Sequence, residues 1–317
     1  MADSLIAGIV VHWHAEEDLA RLIAAWPEDP RFPLVVVDNG SRGLLAFPAQ
    51  AHTQLLSPPQ NLGFAGGANL GARTTNAPLL LFLNPDARPE ASALEELAAG
   101  FAAHPEAAGL APRLFGADGR SQHRWQLRPL PGVRELLAQV LFLPGVSGPE
   151  EEPVARTPVA QPAGAALALR RTAFEAVGGF DERFWPAWFE DVDLARRLSA
   201  RGLTLLYWPA ARFHHRLGGT VHQLGYGRFL TCYSHNLIRY LAKHHGGGWA
   251  LLAWGLLLPS LLGRLLFLPI RKPRRAPSRR AAALGLIRAA LAAATLWRFP
   301  RSLRAEAVST TPQARAR

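Results

Sequence analysis

Leu79–Pro89 reads LLLFLNPDARP, five apolar residues closed by a polar turn. Its apolar run is far too short for a membrane span and suits a strand buried on both faces. Asn84-Pro85-Asp86 ends the run, and Pro85 holds Asn84 in extended backbone, which projects Asp86 from the strand's carboxyl end. Two earlier runs share this character: Leu5–Val11 (LIAGIVV), followed by His12, and Leu34–Val37 (LVVV), followed by Asp38-Asn39-Gly40-Ser41. A shorter strand is predicted near Gln54–Leu56. Ala15–Trp26 puts Leu19, Leu22, Ile23 and Trp26 on one helical face, and Ala68–Thr75 reads as a second helix. Strands that are apolar throughout and alternate with helices predict a parallel sheet covered on both sides. The first third is an α/β unit of Rossmann type.

Farther along, Glu90–Ala103 reads as a helix. Residues 112–162 are rich in Pro, Gly, Arg and Glu and read as extended loops around one short helix near Val133–Phe142. Gly164–Leu169 and Leu203–Trp208 read as strands, and Thr172–Val177 and Val192–Arg201 as helices. The expected class is α/β, a mixed Rossmann-like sheet with helices on both faces, over residues 1–245. A basic, apolar helical tail is expected over 246–317. It holds two apolar segments, Trp249–Ile270 and Ala281–Trp297, separated by RKPRRAPSRR.

The 317 residues carry 35 Lys and Arg against 24 Asp and Glu, a formal charge of +11, and 49% of them are apolar. Such a chain can bury a sizeable core and is too apolar to be disordered. The charge raises nucleic acid as a partner, but its location argues against one. From Arg264 onward there are 13 basic residues and one acid, Glu306, whereas residues 1–263 hold 22 basic and 23 acidic. The body therefore lacks the basic surface of a nucleic-acid-binding domain. A single cysteine, Cys232, excludes an intrachain disulfide and fits a reducing compartment. The opening MADSLIAGIVVHWH has no basic n-region, so the body is expected to stay in the cytosol.

In an open α/β sheet, ligands bind beyond the carboxyl ends of the strands. Asp38-Asn39-Gly40 there is either a plain turn or a ligand contact. Asp86 is either a helix N-cap or a ligand for Mg²⁺ or Mn²⁺, which prefer oxygen. The glycine-dense run 61–71, NLGFAGGANLG, lets backbone approach a ligand but matches neither a dinucleotide fingerprint nor a P-loop. Glu190, Asp191 and Asp193 fall at a predicted helix start, where acids cap the helix and where an ionised carboxylate can serve as a general base. Trp185, Trp188 and Phe189 suit either a sugar face or a core. His214-His215 is either a surface pair or a source of one imidazole for a metal.

In order and spacing, VVVDNGS (35–41), NLGFAGGANLGA (61–72), LLLFLNPDARP (79–89), GAALALRRTAFEAVGGFDERFW (164–185), FEDVDLARRLSARG (189–202) and HRLGGT (215–220) resemble family 2 glycosyltransferases. The likeness is to the bacterial rhamnosyltransferase-like branch and covers about Leu5 to His245. It implies a GT-A fold and donor contacts at His12, Asp38, Asn61, Gly63, Phe64, Asn69, Asn84 and Asp86. It further implies Asp86 and His215 as ligands of Mg²⁺ or Mn²⁺, and Asp191, beside Glu190, as the catalytic base. Trp185, Trp188 and Arg124 are expected on the acceptor side. Arg113, Arg120 and Arg128 are alternatives there to a plain solvated loop. His12-Trp13 stands where the family often has Asn-Tyr, and Thr220 where it often has Ser.

The expected reaction moves rhamnose from dTDP-rhamnose, or a sugar from a UDP-sugar, to a surface polysaccharide or lipid-linked glycan, with inversion. A membrane-tethered nucleotide-sugar-binding scaffold without catalysis is the alternative. Trp249–Ile270 is long enough to cross roughly 30 Å of hydrocarbon. It contains Pro259 and Arg264, however, and one span would put the basic run 271–280 on the opposite side from the body. A peripheral or monotopic helix pair on an anionic membrane, at the cytoplasmic face of the inner membrane, is expected instead. A tail that dimerises the chain is the other reading.

Overall fold

The computed structural model describes residues 4–40, 51–143, 145–216, 224–270, 272–273 and 275–294. The expected apolar runs form β1 (Ile6–His12), β2 (Leu34–Asp38), β3 (Thr53–Leu56) and β4 (Leu79–Leu83). All four run parallel, in the spatial order β3-β2-β1-β4. β1, β2 and β4 are buried along their whole length, as continuous apolar sequence requires. α1 (Glu16–Ala25) buries Leu19, Leu22 and Ile23. The helix expected from Ala68 begins earlier, as α2 (Gly63–Arg73). Its glycines serve close packing on β1: a Cβ at Gly67 would lie 2.8 Å from Val11 Cγ1, and one at Gly71 2.6 Å from Ile9 Cγ2.

The rest of the sheet is mixed: two long strands run with β4, and a single long strand between them and β4 runs against it. β5 (Ala87–Pro89) and α3 (Ala93–Ala103) lead into β6 (Ala107–Phe115), a strand whose last four residues fall in the region expected to be loop. Pro112 obscures it in the sequence; in the fold Pro112 pairs with Trp208, where the partner strand shifts register. α4 (His123–Gln126), β7 (Leu127–Arg128), α5 (Val133–Val140), β8 (Thr157–Pro158) and β9 (Gln161–Pro162) follow. Then come β10 (Ala166–Arg170), α6 (Arg171–Ala176), α7 (Glu190–Ser199) and β11 (Thr204–His215). β10 inserts antiparallel between β4 and β6, β11 runs parallel to β6, and β5 returns antiparallel on the end of β11.

Three helices complete the chain: α8 (Tyr226–His244), α9 (Gly247–Leu266) and α10 (Arg279–Ala294). They do not separate from the body at 245 as the sequence suggests. Leu136 of α5, Phe184, Phe189 and Val192 share one apolar cluster with Leu237, Leu257 and Leu286 of the three helices. α9 buries a single stripe, Ala250, Ala253, Leu257 and Leu261. Its other face and the adjoining turn leave Leu266, Phe267 and Ile270 at 79%, 66% and 79% exposure. α9 is the one helix among the described residues long and apolar enough to cross a membrane.

Asp193 locks α7 to α8. Its fully buried carboxylate lies 2.7 Å from Arg197 Nε, 2.5 Å from Lys243 Nζ and 2.7 Å from His244 Nε2. Burial pushes this carboxyl upward, but hydrogen bonds from His244 and Lys243 and the Arg197 guanidinium outweigh it and hold it below the usual range. A depressed carboxyl contributes stability above its unfolded pKa of about 3.9, and loses it as pH falls through the lower folded value. Asp193→Asn is expected to cost about 3 kcal/mol at neutral pH, since it strands buried cations. It should also flatten the acid limb, measured by thermal melts from neutral pH to below pH 4.

Candidate active site

The carboxyl ends of β1, β2 and β4 open into a cavity of about 240 Å³. His12 ends β1 fully buried, with Nδ1 3.4 Å from Asp38 Oδ1 and Nε2 accepting the Ala15 N–H at 3.0 Å. The accepting Nε2 puts the ring proton on Nδ1, facing Asp38. Burial lowers the imidazole's pKa, and Asp38 opposes that shift. His12 pairs with Asp38, and neither side chain lines the cavity; the adjoining Trp13 and Asn39 do.

The next residue, Asn39, pins the glycine loop. Its amide donates to Gly63 O at 3.0 Å and its oxygen accepts the Leu62 N–H at 2.7 Å. Asn61 Oδ1 accepts the Gly63 N–H at 2.8 Å. Gly63 has φ +72°, and a Cβ there would meet Trp185 Cδ1 at 2.6 Å, so both conformation and space require glycine. Phe64 N–H donates to Pro186 O at 2.7 Å. Asn61, Gly63 and Phe64 line the cavity. Asn69, expected at the donor, is engaged elsewhere. Its amide bonds Phe180 N, Phe180 O and Glu182 Oε1, each at 2.9 Å, and so anchors the GGFDE turn to α2.

At the end of β4, Asn84 N–H donates to Ala165 O at 3.0 Å and Asn84 O accepts the Ala87 N–H at 3.0 Å. Asn84 and Asp86 both face the cavity. The antiparallel pairing of β5 with β11 sets His215 opposite Ala87, one residue from Asp86. His215 Nε2 lies 3.5 Å from Asp86 Oδ1, and its Nδ1 is 2.8 Å from Gln122 Oε1. The ring stacks on Trp125 with centroids 5.3 Å apart. Burial lowers His215 to about 4, so the ring is neutral; Nδ1–H goes to Gln122 and the Nε2 lone pair faces Asp86. Burial and the charge of Asp18 raise Asp86 to about 7. A desolvated carboxyl beside a neutral imidazole that is oriented from behind fits a divalent cation. No third His, Cys, Asp or Glu joins them among the described residues, so the two could supply only part of a cation's coordination.

Across the cavity, Trp185–Phe189 forms a tight turn before α7. Trp188 and Phe189 both have positive φ, +73° and +72°, which is costly for side chains with a Cβ. Asn236 of α8, fully buried, holds this turn. Its amide donates to Ala187 O at 2.9 Å, Trp188 O at 3.1 Å and Trp185 O at 3.4 Å. The indole of Trp185 donates to Asn61 O at 3.3 Å, and Trp188 meets Phe229 edge-on at 4.9 Å. The turn delivers Glu190 and Asp191 to the cavity wall. Asp191 Oδ2 accepts the Gly164 N–H at 3.0 Å and Oδ1 the Val192 N–H at 2.8 Å. Glu190 is buried with Oε2 unpaired, and burial and the Asp191 charge hold its carboxyl well above the usual range.

Arg124 is exposed and does not line the cavity; its neighbour Trp125 does. Arg113 is held by Glu152 through two contacts of 2.7 Å. Leu217–Thr220 lie outside the described residues. Asn39, Gln122 and Asn236 are site residues that the sequence did not single out. The Asp-Asn-Gly turn after a buried strand was a signal for the first; nothing marked the other two.

The sequence profile of glycosyl transferase family 2 matches residues 9–178, and that of the N-terminal domain of galactosyltransferase matches residues 150–222. The chain belongs to glycosyl transferase family 2. The N-acetylglucosaminyl-diphospho-decaprenol L-rhamnosyltransferase of Mycobacterium tuberculosis is 30% identical over 272 residues, 77% of this chain and 85% of that one. Rhamnosyltransferase WbbL of Escherichia coli is 34% identical over 104 residues, 32% of this chain and 38% of that one. The solved mannosyltransferase PcManGT of Pyrobaculum calidifontis, in complex with GDP-Man and Mn²⁺, has a TM-score of 0.51 at 15% identity, over 92% of this chain and 87% of that one. S. aureus TarS gives 0.50 at 13% identity, over 90% and 81%. The fold is of the GT-A type, and the chain is a glycosyltransferase of the rhamnosyltransferase-like kind.

Asn236→Ala removes the donor to three carbonyls of a strained turn. It is expected to cost about 1–3 kcal/mol of stability. Sugar-transfer kcat should fall while donor affinity holds, read by steady-state kinetics beside a nucleotide titration.

Proposed function

We propose that the chain transfers rhamnose from dTDP-rhamnose, or a related sugar from a UDP donor, to a hydroxyl of a lipid-linked glycan, with inversion. One observation carries this reading: Asp191, fixed by two backbone N–H groups, lines the same cavity as Asp86. Asp191 takes the acceptor hydroxyl's proton as that oxygen attacks the anomeric carbon. The nucleoside diphosphate leaves from the opposite face, so the configuration inverts. Glu190, with its carboxyl proton retained, donates a hydrogen bond rather than accepting a proton. Asp38 and the Asn61–Phe64 loop hold the nucleotide, and Trp185 and Trp188 offer apolar faces to sugar rings. Asp86 and His215 are the residues to hold Mg²⁺ or Mn²⁺, which when bound stabilises charge on the departing diphosphate.

Two features support an acceptor in a membrane. The similar M. tuberculosis enzyme is named for a decaprenyl-linked substrate, and α9 and its following turn expose an apolar face beside Lys272 and Arg275. Peripheral or monotopic attachment at the cytoplasmic face of the inner membrane follows from this reading.

General-base help is worth about 10²–10⁴-fold. Asp191→Asn should therefore lower nucleoside diphosphate release by at least about a hundredfold while donor affinity holds, whereas Glu190→Gln keeps most activity. Unchanged turnover in Asp191→Asn removes it from the base role. Asp86→Ala should weaken donor binding only when Mg²⁺ or Mn²⁺ is present, measured by calorimetry with and without chelator. The protein should sediment with membrane fractions, and release by high salt alone would mark the attachment as electrostatic; a soluble dimer that never sediments with membranes would favour the dimerising tail.

A further inference from the structure

α8 has a second working face. Arg228 and Cys232, one turn apart, face the donor cavity. Tyr226, Leu230, Tyr233 and Leu237 sit on the opposite side of the helix and line another cavity, of about 790 Å³, between α5, α8 and α9. Phe142, Phe229 and Phe267 give it aromatic walls. Arg264, Lys272 and Arg275 line it as well, and no Asp or Glu is among its lining residues. The guanidinium of Arg264 lies 3.8 Å from the Phe142 ring centre and that of Arg275 4.9 Å from the Phe229 ring centre. The two guanidiniums therefore rest on π faces at the groove wall, while the exposed Lys272 holds its ammonium on Ala276 O at 3.0 Å and Pro277 O at 3.4 Å, with a third N–H left for an anion.

The groove also has direction. At its mouth, Leu143 and Phe267 are more than half exposed and continue into the apolar face of α9 and its following turn. At its inner end it shares a wall with the donor cavity, since Phe229 meets Trp188 and Phe189 meets Tyr233 at 5.2 Å. Arg128, Arg275 and Asp191 all act electrostatically on the Tyr233 phenol. An occupant that satisfies every part carries dense negative charge and hydrocarbon on one molecule, and reaches from a membrane towards the catalytic turn.

We propose that this groove seats the headgroup and first isoprene units of an isoprenyl diphosphate, the anchor of the lipid-linked acceptor. Phosphate oxygens meet Arg264, Lys272 and Arg275, and hydrocarbon lies along Phe142, Phe229 and Phe267. The inference rests on the lipid-linked acceptor reading given above.

The test uses the full chain in detergent, with farnesyl diphosphate as probe. Wild type is expected to bind it at least about tenfold more tightly than either pyrophosphate or farnesol, because charge and hydrocarbon act on one ligand. Lys272→Gln with Arg275→Gln should weaken binding at least about tenfold, as loss of charge-assisted hydrogen bonds predicts, while donor nucleotide affinity is unchanged. A benzophenone analogue should label α5, α8 or residues 264–275 in the unaltered protein, a readout that does not depend on the variant folding. Four results would overturn the groove: equal binding by the double variant, equal binding of pyrophosphate or farnesol, displacement by phosphatidylglycerol at equal concentration, or labelling confined elsewhere. Probe binding as expected, without transfer to any lipid-linked glycan, would sink the proposed function and leave the groove. Transfer with an unchanged acceptor KM in the double variant would do the reverse.

Discussion

The antiparallel pairing of β10 with β4 is the constraint on which the site depends. A parallel neighbour would end where β4 ends and point its own exit loop at the cavity. β10 instead starts there, so its lead-in, Ala163–Ala165, lies against Asn84 and Asp86. That lead-in carries Gly164, whose N–H takes Asp191 Oδ2, and a Cβ at Gly164 would sit 3.1 Å from that of Asp191. One reversal of strand direction thus brings the residues after β4 and the residues before α7 to the same cavity. The return of β5 along β11 repeats the device on a smaller scale and brings His215 to Asp86.

The acids around the cavity are separated by environment rather than by type. Glu190 is buried without a partner for one oxygen, Asp191 is held by backbone N–H groups, and Asp193 is enclosed by Arg197, Lys243 and His244. Three carboxyls within four residues therefore have three settings: burial and the neighbouring Asp191 raise Glu190, two backbone N–H groups hold Asp191 at the cavity wall, and the hydrogen bonds around Asp193 keep it below the usual range despite burial.

Much of the fold was legible because burial on both faces demands unbroken apolar sequence. Leu79–Leu83, Leu34–Val37 and Leu5–Val11 each appear as strands within a residue or two of where the sequence sets them. β6 was not legible, because Pro112 and Gly109 break its pattern and only the register shift in β11 accommodates the proline. At the site, Asp86, Asp191 and the 61–64 loop announce themselves through Pro, Gly and clustered acids. The family resemblance implies donor contacts at His12 and Asn69, yet their side chains support neighbouring backbone and acids. Asn236 and Gln122 were invisible, since each acts across a long sequence separation on groups that only the fold brings near.

Asn236 has a consequence for how this enzyme can be rearranged. The helix that carries it holds the Trp185–Phe189 turn beside Asp191 on one side and packs against the apolar helices α9 and α10 on the other. Tail and cavity wall are consequently not separable modules joined by a tether; they are two faces of one beam. Grafting a different tail onto this body would alter the seat of that turn, and anything that orders the tail would stiffen the strut against which the cavity wall is braced.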